Sequence, residues 1–184
     1  MLKKANKING FRDKITEDGI YFVSFSVVGW LDVFTRRRYQ EILVESIIFC
    51  QQQKELKLFC YCIMPSHVHL IAYSKEGTLS NILRDLKSFT ATKILESIKT
   101  NIQESRREWM LEHFRHFGKI SPQKQTNQFW KHDNHPFYLY SNEMINQKVN
   151  YIHENPVEAG FVNFAHEWRL SSANENSPIK VLKM

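Results

Sequence analysis

The feature that most constrains the fold is a pair of apolar runs, residues 56–64 and 67–74, separated only by Pro65 and Ser66. Both runs contain aromatic or β-branched residues, which favour strands. Proline and serine are frequent in tight turns. The two runs therefore predict a β-hairpin of antiparallel strands with a two-residue loop.

The rest of the chain supplies one more strand and several helices. The aromatic-rich segment 19–30 predicts a first strand. Apolar residues recur at helical spacing in two segments, and a charged third segment also resembles a helix. These segments are residues 36–56, 78–98 and 103–117, followed by a loop over 121–128. Ser141 is a suitable N-cap for a last helix that runs to about Glu154, where Pro156 is expected to stop it.

This order of elements predicts an α+β fold. The ferredoxin-like arrangement fits best, with helices packed on one face of an antiparallel sheet. The chain has 184 residues and 42% hydrophobic residues, so we expect residues 1–184 to form a single domain. The last dozen residues are the segment whose composition is closest to that of a disordered tail.

Charge and cysteine content indicate the cellular compartment of the protein and the chemical class of its partner. The formal net charge of +6 favours a polyanionic partner such as nucleic acid. The chain starts without the apolar stretch of a signal peptide, and no run approaches the roughly 18 apolar residues of a membrane span. Three cysteines without a CxxC pair are typical of a reducing cytosol. A cytoplasmic, nucleoid-associated protein that does not bind membranes is expected.

Two histidines in the second hairpin strand are candidate metal ligands. His67 and His69 are spaced i, i+2, so they share a strand face about 6–7 Å apart at Cα. Imidazoles at that spacing can converge on one divalent metal, although two unrelated polar residues would give the same pattern. A third ligand is needed, and Cys62 would lie opposite His69 if the loop has two residues. A thiolate there would favour zinc, but a buried core cysteine is the commoner case.

The stretch NYIHENPVEAGFV, residues 150–162, contains the second candidate set. Tyr151 and Asn155 are one helical turn apart and share a face, with Lys148 one turn earlier. Ile145 and Val149 belong to the adjacent apolar stripe. Taken alone, this pattern fits an amphipathic helix with a half-buried tyrosine equally well.

Together, the stretches MPSHVHL, FW, YIHENPVEAGFV and WRLSSA resemble the REP-associated, single-tyrosine transposases of the HUH superfamily, which are IS200-like transposases. The resemblance spans residues 19–173, and the segment 100–127 is longer and more charged than in that family. It implies the HUH nuclease fold. It also implies that His67, His69 and an amide oxygen of Asn155 hold Mg²⁺ or Mn²⁺, and that Tyr151 is the nucleophile.

The activity implied by the resemblance is cleavage and rejoining of single-stranded DNA through a 5′-phosphotyrosine. The implied substrate is DNA that carries a folded hairpin beside the cut, as in REP elements. The implied enzyme acts as a monomer or a homodimer. Two alternatives remain open: a domesticated protein that binds DNA hairpins without cutting them, and a metal-dependent hydrolase that uses water.

Six further side chains are candidate DNA contacts. Arginines and lysines can bind phosphates, and an aromatic ring can stack on an extruded base. The candidates are Arg36, Arg37, Arg38, Lys87, Trp130 and Lys148. A solvated position is an equally good interpretation of the three arginines and the commoner one for the two lysines. A core position is the better interpretation of Trp130.

Overall fold

The computed structural model describes residues 18–75, 78–134 and 136–183. It contains four strands and four α-helices in these residues. They are β1 (Tyr21–Ser26), α1 (Arg37–Gln53), β2 (Lys57–Ile63), β3 (His67–Tyr73), α2 (Leu79–Thr100), α3 (Arg107–Ile120), β4 (Phe137–Tyr138) and α4 (Asn142–Glu158). The strands form one antiparallel sheet in the order β2-β3-β1-β4.

This sheet confirms the predicted ferredoxin-like α+β fold. The sequence analysis missed β4, because this strand is only two residues long and both of its side chains are exposed. It pairs with the start of β1, where Phe22 faces Phe137 and Tyr21 faces Tyr138. The inserted helix α3 separates β4 from α2 and contributes Met110 to the main core.

The helices cover both faces of the sheet, so the expectation that they occupy one face is wrong. Val23 and Phe25 of β1 point to a main core shared with α1 and α2. Phe22 of β1 and Ile71 of β3 point the other way, to a smaller core that α4 closes with Ile152. Because side chains alternate along a strand, the second face is also the one that holds His67 and His69.

The predicted hairpin forms with its two-residue loop. The backbone nitrogen of Met64 donates to the carbonyl of His67 at 2.8 Å across Pro65 and Ser66. The loop carbonyls are also bound: Ser66 accepts from the backbone nitrogen of Val27 at 2.8 Å. These bonds fix the end of β3, which begins at His67.

Helix α4 starts as predicted but ends later than predicted. The Ser141 hydroxyl accepts from the backbone nitrogen of Met144 at 3.3 Å, which makes Ser141 the N-cap. Pro156 does not stop the helix, which continues to Glu158. A proline removes only the hydrogen bond of its own nitrogen, and the next turn closes normally, with Ala159 donating to Asn155 at 3.0 Å. The buried ring of Pro156 packs into the protein and offsets the lost bond.

The C-terminal residues are ordered along the free edge of β2, contrary to the expectation of a disordered tail. The backbone nitrogen of Ser172 donates to Tyr61 at 2.9 Å, and that of Leu182 donates to Leu58 at 2.8 Å. Ile179 is 1% exposed and belongs to the main core. The segment therefore forms hydrogen bonds with the backbone of β2, which would otherwise be an edge strand with unpaired groups. Within the described residues, no helix is both long and apolar enough to cross a membrane.

We predict that Ile179→Ala lowers the free energy of unfolding by about 2–4 kcal/mol, because it leaves a cavity in the core. The matched control is Leu182→Ala in the same segment, where the side chain is 48% exposed. This control should change stability by no more than about 0.5 kcal/mol. Urea unfolding followed by circular dichroism measures both values. Equal, small effects would contradict the packing of this segment.

Candidate active site

The hairpin and β1 place the two histidines beside small side chains on the α4 side of the sheet. His69 of β3 lies opposite Ser24 of β1 and Cys62 of β2, and His67 lies opposite Ser26. The register predicted for Cys62 and His69 is thus present. The serines leave room above the sheet that larger residues would fill.

The histidine rings lie close to each other and to α4. Their centroids are 4.8 Å apart, and the rings are nearly perpendicular. The Nε2 atom of His67 is 3.3 Å from the Oδ1 atom of Asn155 on α4. The structure therefore brings together the three side chains that the family resemblance implied as metal ligands.

His69 is a polar residue without a polar partner. It is 4% exposed, and neither ring nitrogen has a hydrogen-bond partner within the described part of the chain. Burial lowers the pKa of His69 to about 3, with smaller contributions from His67 and Lys148. The imidazole is therefore neutral at physiological pH and keeps a lone pair available. Leaving such a group unpaired costs about 1–3 kcal/mol, which metal binding would remove.

The environment of His67 also favours a neutral ring. Burial lowers its pKa, although the hydrogen bond with Asn155 and the charge of Asp32 act in the opposite direction. Neutral imidazole nitrogens and an amide oxygen suit a divalent cation that also keeps open positions for phosphate and water. The residues present thus fit the metal that the resemblance implies.

The alternative third ligand, Cys62, is a protonated thiol in the metal-free protein. Burial raises its pKa to about 12, with a further increase from Cys60, and its thiol contacts the sulfur of Met64 at 3.6 Å. Over residues 18–75, 78–134 and 136–183, no group of three His, Cys, Asp or Glu could hold a metal. A three-ligand site at this position therefore needs Asn155.

Tyr151 lies on the same side of α4 as Asn155 and contacts His69 directly. Its ring centroid is 5.3 Å from that of His69, and the two rings meet edge to face. The side chain is 42% exposed, so its hydroxyl can be reached from solvent. The rings of Tyr138 and Tyr140 contact each other at a tilt ahead of α4, and Tyr138 also packs on Tyr21.

Aromatic rings and a lysine surround Tyr151. The ring of Phe22 stacks on His69 at 5.6 Å and meets Tyr151 at 6.0 Å. The ammonium of Lys148 lies 5.3 Å from the centroid of Tyr151 and 4.7 Å from that of Phe22. A cation over these rings stabilises negative charge that develops on the phenol. The sequence analysis missed Phe22 because nothing in its strand pattern distinguishes it from a core residue.

The buried side of α4 fixes the direction of the tyrosine. Ile152 is fully buried in the smaller core. The next residue, His153, bonds the hydroxyl of Ser172 at 2.9 Å and lies 3.3 Å from the sulfur of Cys60. These contacts tie α4 to β2 and to the C-terminal segment, so the helix cannot rotate without breaking them.

The three arginines at the start of α1 have different environments. Arg36 bonds Glu104 at 3.2 Å, and the Glu104 side chain has no exposed surface. Arg38 donates to the hydroxyl of Ser97 on α2 at 2.7 Å. Both arginines therefore have structural partners. Arg37 is paired only with Glu41 on the surface and is 82% exposed, so it stays a candidate for phosphate contact.

The side chains of Lys87 and Trp130 also have partners within the fold. The ammonium of Lys87 donates to the carbonyl of Lys131 at 2.7 Å and to the side chain of Asn134 at 2.6 Å. Burial lowers the pKa of Lys87 to about 8. Trp130 is 5% exposed, and its indole nitrogen donates to Thr90 at 3.0 Å. A ring in this position has no face to offer a base, which supports its interpretation as a core residue.

Known proteins were compared with this chain. The family model of IS200-like transposases matches residues 31–117, which contain both histidines. Residues 31–117 are therefore similar to IS200-like transposases, as the motifs led us to expect, and the match ends before Tyr151 and Asn155.

Two solved structures are similar to this chain, and the first of them shares its fold. A REP-associated tyrosine transposase bound to a REP hairpin superposes with a TM-score of 0.60 at 16% identity, covering 91% of this chain and 82% of that one. A candidate transposase from Deinococcus radiodurans R1 gives a TM-score of 0.41 at 16% identity, covering 82% of this chain and 97% of that one. No curated protein sequence matches the chain. The 91% of the chain that the first of these structures covers shows that the fold likeness extends beyond the family match.

We predict that His69→Leu abolishes metal binding without destabilising the metal-free protein. Leucine has a similar volume and removes two unpaired buried nitrogens, so Tm in EDTA should be equal to or higher than that of wild type. Mn²⁺ at about 100 times its Kd should stabilise wild type by about 2.7 kcal/mol and leave the variant unchanged. Differential scanning calorimetry measures both effects.

The control for this prediction is His116→Leu, which changes an exposed histidine on α3. This variant should keep the full response to Mn²⁺. An equal rise in Tm for His69→Leu and wild type would place the metal elsewhere.

Proposed function

We propose that this protein cleaves single-stranded DNA in a metal-dependent reaction and transfers the strand through a covalent bond to Tyr151. The observation that carries the proposal is the convergence of His67, His69, Asn155 and Tyr151 from a strand and a helix far apart in sequence. His67 and Asn155 are 88 positions apart and lie 3.3 Å from each other. A structural role alone would not require one buried and one half-buried imidazole beside a tyrosine.

When a metal is bound by His67, His69 and Asn155, it would neutralise negative charge on the phosphate. Residues of the protein carry out the remaining steps of the reaction. The oxygen of Tyr151 forms a bond to the scissile phosphorus as the phenol gives up its proton, and the bond to the 3′-oxygen breaks. The departing 3′-oxygen takes up a proton and leaves as a hydroxyl. Lys148, near the ring of Tyr151, stabilises the charge on the phenol during the attack.

The covalent product explains the use of tyrosine instead of water. The 5′-phosphotyrosine retains the phosphodiester as an ester, so a second 3′-hydroxyl can attack it and restore Tyr151. One strand is thereby joined to another without an external energy source. Hydrolysis by water would end the reaction at cleavage.

The proposed substrate is single-stranded DNA with a hairpin beside the cut. The structurally similar REP-associated transposase was solved with a REP hairpin, which supports this choice for a chain with the same fold. The net charge of +6 favours a polyanion. A single strand also suits a scissile phosphate that must reach the space between the sheet and α4.

We predict that Tyr151→Phe retains DNA binding but forms no covalent adduct. The change removes one oxygen and keeps the ring that packs on His69 and Phe22, so Tm should stay nearly constant. A labelled hairpin oligonucleotide with Mn²⁺ should give a covalent protein–DNA band on a denaturing gel for wild type and none for the variant. EDTA should remove the band from wild type.

The matched controls are Tyr138→Phe and Tyr140→Phe, which should both keep the adduct. Loss of the adduct in either control, with retention in Tyr151→Phe, would refute the assignment of the nucleophile. Cleavage without an adduct would favour a hydrolase that uses water. Tight hairpin binding by wild type without any cleavage would favour a hairpin-binding protein.

We also predict that the protein binds a single-stranded hairpin more tightly than a random duplex of equal length. Binding should weaken with salt, with log K falling by about 0.7 per neutralised phosphate for each unit of log salt concentration. Fluorescence anisotropy at several salt concentrations measures both quantities. Equal affinity for hairpin and duplex would remove the substrate part of the proposal and leave the covalent chemistry to be judged by the adduct.

A further inference from the structure

An exposed tryptophan lies at the edge of the candidate active site. Trp30 ends a short 3-10 turn after β1, and 57% of its surface is exposed. Its ring centroid is 5.4 Å from that of His67, at a steep angle. A large apolar side chain in this position is not part of either core.

The backbone at Trp30 adopts a conformation that disfavours a bulky side chain. Gly29 and Trp30 have φ values of 62° and 56°, in the left-handed region. Glycine adopts this region freely, whereas a tryptophan there is rare and strained. Such strain persists only where the surroundings enforce it, and it is concentrated at functional sites.

The surroundings do enforce this conformation. Val28 and Leu31, on either side, are 2% and 7% exposed and anchor the turn in the core. The ring of His113 on α3 donates a hydrogen bond to the carbonyl of Val28 at 3.0 Å. A Cβ atom on Gly29 would approach that ring to 2.5 Å, so the turn cannot shift towards α3.

A positive charge lies against the exposed ring. The ammonium of Lys131 is 4.2 Å from the centroid of Trp30. An aromatic face with an adjacent cation is the combination that binds single-stranded nucleic acid: the ring stacks on a base and the cation pairs with a phosphate. Here the combination adjoins His67, where the scissile phosphate is proposed to bind.

We propose that Trp30 is a stacking platform for an unpaired base adjacent to the scissile phosphate, and that Lys131 contacts a phosphate of the same nucleotide segment. The proposal takes its substrate class from the proposed function. Stacking on an indole is tolerant of base identity, because every base has a π face. Trp30 therefore orients the strand, and the sequence preference must come from other contacts.

The decisive variant is Trp30→Gly, because glycine relieves the strained backbone while it removes the ring. Its Tm should be equal to or higher than that of wild type. Two probes about 12 nucleotides long are compared by fluorescence anisotropy: oligothymidine and an abasic backbone with the same phosphates. Wild type should bind oligothymidine more tightly than the abasic probe. Trp30→Gly should reduce that ratio by about 5- to 100-fold.

Salt dependence separates stacking from charge. Trp30→Gly should leave the slope of log K against log salt unchanged, since no phosphate contact is lost. Lys131→Met should reduce the magnitude of that slope by about 0.7. Trp30→Phe keeps a smaller ring and should retain part of the preference for oligothymidine. If the glycine variant is unstable, Trp30→Asn makes the same test, because asparagine tolerates the left-handed region.

A control tests whether the loss of any exposed aromatic ring would have the same effect. It is Phe89→Ala on α2, where the ring is 54% exposed and lies outside the site. This variant should keep the wild-type ratio. An unchanged ratio in Trp30→Gly overturns the inference, even if wild type forms the Tyr151 adduct. A reduced ratio in a protein that forms no adduct would keep the inference and remove the proposed cleavage.

Discussion

The packing of α4 on the second face of the sheet is the interaction on which the candidate site depends. His67 and His69 are fixed by a local hairpin, but Tyr151 and Asn155 reach them only because Ile152 is buried in the smaller core. The contact of His153 with Ser172 adds a polar restraint from the C-terminal segment. The candidate metal ligands and the candidate nucleophile are thus held on two elements that meet through apolar burial, which gives a geometry that no local sequence could impose.

The same region contains features that oppose stability. His69 is buried with no hydrogen bond in the described structure, and its charged form is strongly disfavoured. Trp30 is exposed and held in a left-handed conformation. A sequence under pressure only to fold would replace both residues. His67 lies between them, and this arrangement fits the proposed metal on the imidazoles and the proposed base on the Trp30 ring.

The basic composition of the chain is a poor guide to its DNA surface. Arg36 neutralises the buried Glu104, Arg38 links α1 to α2, and Lys87 holds the segment that leads to β4. The cations that face the candidate site are instead Lys148 and Lys131, each over aromatic rings. Net charge favours a polyanion, but only the partners of each side chain show which cations remain available.

The sequence by itself determined the hairpin, its two-residue loop, the shared face of His67 and His69, the N-cap at Ser141 and the i, i+4 pair of Tyr151 and Asn155. Each of these follows from local periodicity or turn chemistry within a few residues. Only the tertiary structure decided that α4 covers the face opposite α1 and α2, that the helix continues through Pro156, and that the last residues pair with β2. It also decided which arginine and lysine side chains already have partners within the protein, and that Trp30 adjoins His67. The physical reason is that these features depend on burial and on backbone hydrogen bonds with distant segments. The free energy of such contacts cannot be deduced from the residues next to each position in the sequence.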